Sequence, residues 1–225
     1  GDLDRVRDLE SYENLASEAS QLVIEIPKQI AVSQQSDGLF SPVLVYISWE
    51  ILNPSVGLQF TGPSDSIPDA SKSCYTCSDC DPGTWFPCVE VSRNVTFELS
   101  ITGPQNCIAV AAGQAVGNPN WTLDSQHAKK TFFFKSQVPS SPSCIGFAFG
   151  EFIKFSDPRF PRLSHYCLPL CQSKSQASSA LRKLEHSVTC VNMFFNLFEK
   201  TLGTPYPYPC YSQVFVPDAA SPACM

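Results

Sequence analysis

The stretch Val95-Thr-Phe-Glu-Leu-Ser-Ile101 decides the fold. Val95, Phe97, Leu99 and Ile101 alternate with Thr96, Glu98 and Ser100, and a side-chain period of two turns one set inward and the other to water. This is the pattern of a strand in a sheet with one solvated face. Outward from it the same signal recurs. Leu22, Ile24 and Ile26 share a face before Pro27, and Val43, Val45, Ile47, Trp49 and Ile51 do so until Asn53-Pro54 ends the run. Val56-Gly-Leu-Gln-Phe60 reads as a short strand closed by Thr61-Gly-Pro63. Strands are predicted again over 107–112, 130–135, 144–155 and 163–168. In 144–155, Ile145, Phe147, Phe149, Ile153 and Phe155 line one side, and Gly150-Glu151 predicts a bulge.

The character changes after Pro169. Residues 172–202 contain neither Gly nor Pro, and Leu181, Leu184, Val188, Val191, Phe194 or Phe195, Phe198 and Leu202 recur at helical spacing. One long amphipathic helix is expected, stopped by Gly203. Thr204-Pro-Tyr-Pro-Tyr-Pro209 must be extended, because a residue before proline is pushed out of the helical region. Residues 213–216 read as a last strand. The expected organisation is an acidic tail at 1–20, a β domain at 21–169, and the start of a second, truncated domain at 170–225. A lone helix and strand cannot bury both their faces, so they must rest on the sheet unit or on further polypeptide.

Composition narrows the function classes. The 225 residues are 43% hydrophobic and only 16% charged, with 16 Phe, which suits a packed, sheet-rich protein. The formal charge of −6 argues against a phosphate-binding surface, since nucleic acid is held first by Lys and Arg that displace counterions. No apolar run approaches the ~18 residues of a membrane helix, so no membrane partner is expected. The opening Gly1-Asp-Leu-Asp-Arg5 lacks the basic, then apolar, pattern of a signal peptide.

Eleven cysteines is an odd number, and a reduced, intracellular protein accounts for it most simply. Two glycosylation sequons, Asn94-Val-Thr96 and Asn120-Trp-Thr122, point instead to secretion. Cys74, Cys77 and Cys80 stand three apart and Cys88 follows. Thiolates at that spacing can converge on a zinc ion or an iron–sulfur cluster, but the interval to Cys88 fits neither a ferredoxin run nor paired C-x-x-C zinc ribbons. Loop thiols with a packing role are the plainer reading, and disulfides remain open. His127, His165 and His186 are scattered, and H-E-x-x-H, G-x-S-x-G and phosphate-cradling glycine loops are all absent. Catalytic, cofactor-binding and metal residues are therefore given as none. Trp85, Phe86, Tyr46 and the phenylalanines at 132–134 read as core or edge aromatics.

The order of three motifs carries a resemblance. Trp85-Phe-Pro-Cys88, the strand at 95–101, and Cys144-Ile-Gly-Phe-Ala-Phe-Gly-Glu-Phe152 resemble the amino-terminal saddle-shaped β domain of aminopeptidase N-type zinc metallopeptidases. The helix and Tyr206-Pro-Tyr-Pro-Cys-Tyr-Ser-Gln-Val-Phe-Val-Pro-Asp218 are similar to the start of the catalytic domain that follows it. Two branches share that architecture: active peptidases, and the TBP-associated factors of the TFIID subunit 2 family. Ser164-His-Tyr-Cys-Leu-Pro169 is similar to the T-H-F-C-L-P pattern of the second branch. Where peptidases read Y-P-L-P-K-x-D, Cys210 replaces the Lys and Ser212 the Asp, and Val89-Glu90-Val91-Ser92 replaces their D-E-P after F-P-C.

This resemblance implies a mainly β, saddle-like fold and a non-enzymatic scaffold without cofactor. It further implies a nuclear protein that works in core-promoter recognition and RNA polymerase II pre-initiation complex assembly. The implied partners are other TFIID subunits. Core-promoter DNA would be contacted chiefly by other parts of the full-length protein, since the plausible basic contributors here are few, Lys129, Lys130, Arg159 and Arg162 among them. The rival reading is the accessory domain of an active zinc aminopeptidase. An independent β-sandwich module would explain the strands but not the matching order of the motifs.

Overall fold

The computed structural model describes residues 22, 24–27, 40–54, 56–61, 75–78, 82–88, 93–124, 127–156, 160–168 and 174–216. In chain order its elements are β1 (Leu58–Thr61), β2 (Tyr75–Ser78), β3 (Val95–Pro104), β4 (Ile108–Ala111), β5 (Gln114–Ala115), β6 (Asn120–Asp124), β7 (His127–Ser140), β8 (Phe147–Gly150), β9 (Ile153–Phe155), β10 (Leu163–Cys167), α1 (Lys174–Val188), α2 (Val191–Leu202) and β11 (Tyr211–Phe215). Backbone contacts gather residues 1–48 into one unit and residues 49–225 into another, a division that falls within the apolar run 43–51. Strands dominate, so the mainly β expectation holds.

Within the larger unit, β3 keeps its alternation from end to end, half-buried and exposed residues following each other for ten positions. It pairs antiparallel with β7, with a register shift between Val95 and Phe97. The other side of β7 holds β6 at one end and β5 at the other. A second sheet runs β1-β2-β8-β4, also antiparallel. The two sheets approach closely at Gly103, where an added Cβ would lie 2.2 Å from the Phe149 ring. Any side chain there would have to displace that ring.

The third sheet, β11-β10-β9, is mixed. β9 pairs antiparallel with β10, whereas β11 lies parallel to β10 with Leu163 opposite Tyr211 and Cys167 opposite Phe215. Parallel neighbours need a crossover, and α1 and α2 supply it. One face of β10 and β11, carrying Tyr166, Leu168, Val214 and Val216, packs on Ala148, Phe152 and Ile108. α1 packs on β9 and β10 and buries Leu184 and Val188, which leaves it the opposite face, that of Leu163 and His165. The segment beyond Pro169 thus rests on the sheet unit, one of the two supports the sequence demanded.

Several sequence expectations are corrected. Leu22, Ile24 and Ile26 lie exposed and outside any strand, and so do residues 43–51 apart from the half-buried Ile51, with Tyr46 at 87% exposure. Alternation tells which way side chains point, but a strand also needs a neighbour's N–H and C=O groups, and none of the described residues lends them there. Trp49 is held differently, its indole N–H donating to the Trp85 carbonyl at 3.1 Å. The Gly150-Glu151 step is a break rather than a bulge: β8 and β9 on its two sides belong to different sheets. Inside the expected loop 61–84 lies β2, and β5 and β6 had no expectation at all. Such short strands rely on partners, not on their own pattern.

The helical stretch is present and turns at Thr189-Cys190, which divides it into α1 and α2. There Thr189 Oγ1 donates to the Glu185 carbonyl at 2.9 Å, a local bond that competes with helix continuation. Gly203 stops α2 as expected, in the left-handed conformation at φ 67°. The choice between Phe194 and Phe195 falls to Phe195, which is half-buried, while Phe194, Phe198 and Leu202 are exposed. The acidic tail at 1–20 lies outside the described residues.

Candidate interaction site

The richest polar and aromatic assembly lies where β10, α2 and β11 meet. Arg162, just before β10, donates from Nη2 to Glu199 Oε1 on α2 at 2.5 Å. The same oxygen accepts the backbone N–H of Tyr206 at 2.9 Å, so one carboxylate ties the helix to the proline-rich segment after it. That N–H first, and the Arg162 guanidinium second, hold the Glu199 carboxyl below its ordinary range. The guanidinium also stands 5.7 Å from the centre of the Phe195 ring, a cation–π contact. Phe195 meets Tyr206 and Tyr211 edge-on at 5.2 and 5.1 Å. The Tyr211 N–H in turn donates to the Arg162 carbonyl at 2.8 Å.

Beside this clamp, His165 is 2% exposed and bonds through Nδ1 to Gln213 Oε1 at 3.1 Å. Gln213 Nε2 donates to the Tyr211 hydroxyl at 3.2 Å, which orients the amide so that its oxygen faces the imidazole. Nδ1 therefore carries the proton. Burial holds the His165 pKa below its ordinary value against an opposing pull from Gln213. Burial alone pushes the Cys167 and Cys210 thiols up, which keeps them protonated and unreactive.

The residues singled out in the sequence do not come together. Among the described residues no three His, Cys, Asp or Glu side chains converge to hold a metal. Cys74 and Cys80 lie outside the described residues, Cys77 is described only through its backbone in β2, and Cys88 is exposed. His127 opens β7 and His186 is exposed on α1. Of the basic candidates, Arg162 is taken up by Glu199, Lys130 stands 4.7 Å over the Phe132 ring, Lys129 is exposed, and Arg159 lies outside the described residues. Asn94 and Asn120 are both exposed. Among the described residues no helix is long and apolar enough to cross a membrane.

Sequence reasoning missed the clamp. Arg162 and Glu199 are 37 positions apart and His165 and Gln213 are 48 apart, and no periodicity links such pairs. The usable signal was the cluster of aromatics and prolines at 205–211. A second feature is an apolar surface: Met193, Phe194, Leu197, Phe198 and Leu202 of α2 stand exposed, with Phe194 and Phe198 stacked at 6.4 Å. The contacts of the assembly tie β10, α2 and β11 to one another.

No family model matches the chain. Among curated proteins, transcription initiation factor TFIID subunit 2 of Drosophila melanogaster is 29% identical over 203 residues, covering 87% of this chain and 15% of that protein. The Danio rerio protein of the same name is also 29% identical over 203 residues, covering 88% of this chain and 16% of its own. The Gallus gallus protein of that name is 30% identical over 179 residues, covering 78% and 14%. The chain thus spans about a seventh of the length of these relatives. Among solved structures, native yeast LTA4 hydrolase aligns with a TM-score of 0.49 and 18% identity over 72% of this chain and 22% of that one. By sequence, the chain is a relative of transcription initiation factor TFIID subunit 2, similar to one segment of that longer protein.

Proposed function

We propose that the protein is a non-enzymatic scaffold subunit of a TFIID-type general transcription factor, acting in the nucleus in core-promoter recognition and pre-initiation complex assembly. The observation that carries this reading is the similarity to TFIID subunit 2 from three animals over 78–88% of the chain. The chain's own departures at Cys210 and Ser212, and the pattern Ser164-His-Tyr-Cys-Leu-Pro169, support it against a peptidase. The mechanism is presentation: packed sheets and a clamped helix offer fixed surfaces to other subunits, and promoter DNA is met by basic surface elsewhere in the full-length protein.

Residues from 170 onward belong, in this reading, to the opening of a second domain. The exposed apolar side of α2 supports that, because such a surface on a crossover helix calls for a covering layer. Two experiments test the function. Affinity purification of the tagged full-length protein from nuclear extract should recover other TFIID subunits at constant stoichiometry. The same preparation, supplied with zinc and aminoacyl fluorogenic substrates, should release no product; turnover abolished by a chelator would establish the peptidase reading instead.

A further inference from the structure

His165 lies on β10 and Gln213 on β11, directly opposite in the parallel register. They belong to Ser164-His-Tyr-Cys-Leu-Pro169 and Tyr206-Pro-Tyr-Pro-Cys-Tyr-Ser-Gln213, two of the stretches in which the sequence departs from the peptidase pattern. In the fold the two stretches meet at His165 and Gln213. We propose that His165 and Gln213 form a register latch that fixes β11 on β10 while the imidazole is neutral and loosens when it takes up a second proton.

The geometry sets the register. A one-residue slip of β11 would keep a backbone ladder but turn Val214 and Val216 away from Ala148 and Phe152, and the His165–Gln213 bond adds a directional polar contact to that apolar preference. A slip would set His165 against Ser212 or Val214 and turn Gln213 to the opposite face, leaving a buried imidazole N–H unpaired. The bond to the Tyr211 hydroxyl pins the amide, and Phe155 stacks on the ring from β9 at 6.3 Å.

The second proton must enter at Nε2, since Nδ1 already donates to Gln213. Among the described residues no charge is positioned to receive it. Tyr211 on β11 reaches the ring only through Gln213, and Cys167 on the same face of β10 stays a thiol. Lys154 on β9 points the other way, over Tyr166 at 5.8 Å, and Arg162 is engaged by Glu199. On α1, Glu185 and His186 are exposed beside the buried Leu184 and Val188. Protonation therefore places a cation between apolar layers, and the cheapest relief is for β11 to part from β10.

Hydrogen exchange of the intact protein tests this, comparing the amides of 211–215 with those of 95–104 at pH 7.5 and pH 5.0. The expected result is that 211–215 lose about tenfold or more of their protection relative to 95–104 at the lower pH. His186→Gln should leave that loss unchanged. His165→Leu and Gln213→Leu should each lower protection of 211–215 at pH 7.5, and the double variant should recover much of it while losing the pH response. Equal protection of the two strands at both pH values overturns the latch, and so does a pH response that survives in the double variant. Because the readout is local exchange and not TFIID association, the latch stands or falls separately from the scaffold reading.

Discussion

β3 and β10 bury themselves in opposite ways. β3 is antiparallel to β7, alternates strictly, and carries a solvated face on which Lys135 pairs with Glu98. β10 stands between an antiparallel and a parallel neighbour, is covered on both faces, and has a histidine where an aliphatic side chain would ordinarily lie. In the first strand each residue's role follows from its place in a two-residue period. In the second it follows from residues as far as 48 positions away. The difference teaches where sensitivity should lie: the β3–β7 ladder spreads its stability over many equivalent pairs, whereas the β10 region concentrates it in a few polar contacts and one packed leucine.

The sharpest way to break the contrast is Leu163→Ala. Leu163 is 2% exposed beneath α1, and its truncation should cost about 3 kcal/mol, read as a fall in the denaturation midpoint. A loss below about 1 kcal/mol would mean that the β10 region is no more tightly packed than the ladder. Arg162→Ala comes next, at about 1–2 kcal/mol, because it strips a charged donor from Glu199 and a cation from the Phe195 ring. The comparison sharpens if Arg162→Lys recovers less than half, since a point charge cannot copy the guanidinium plane. Gly203→Ala should cost about 1 kcal/mol through its left-handed backbone, visible as fraying of α2 by amide exchange. Lys135→Ala, which deletes an exposed ion pair in the ladder, should change stability by less than about 0.5 kcal/mol and less still in high salt.

Acid titration separates the regions too. The folded-state pKa of His165 is depressed below its ordinary 6.5, so the folded protein binds fewer protons there than the unfolded chain. That contribution is complete above pH 6.5 and is lost as pH falls toward the folded value. Glu199 is depressed below its ordinary 4.5, and its contribution is lost only in a later, more acidic step. Melting followed through α2 and β11 should therefore weaken below pH 6.5, before any change in the β3–β7 ladder.

The local pattern of this sequence was enough to place β3, strands at 107–112, 130–135 and 163–168, a helical stretch over 172–202 and its stop at Gly203, though not the full length of β7 or the turn between α1 and α2. Each depends on side-chain period or on one residue's backbone preference, which are properties of neighbours in the chain. The same pattern misassigned 43–51, because alternation fixes side-chain direction but cannot supply a partner strand. Nothing local announced β2, β5 or β6, the parallel placement of β11, or the Arg162, Glu199, His165 and Gln213 contacts. Those required the chain to close on itself, since a hydrogen bond across 37 or 48 positions exists only once the crossover through α1 and α2 has brought its two ends to one face.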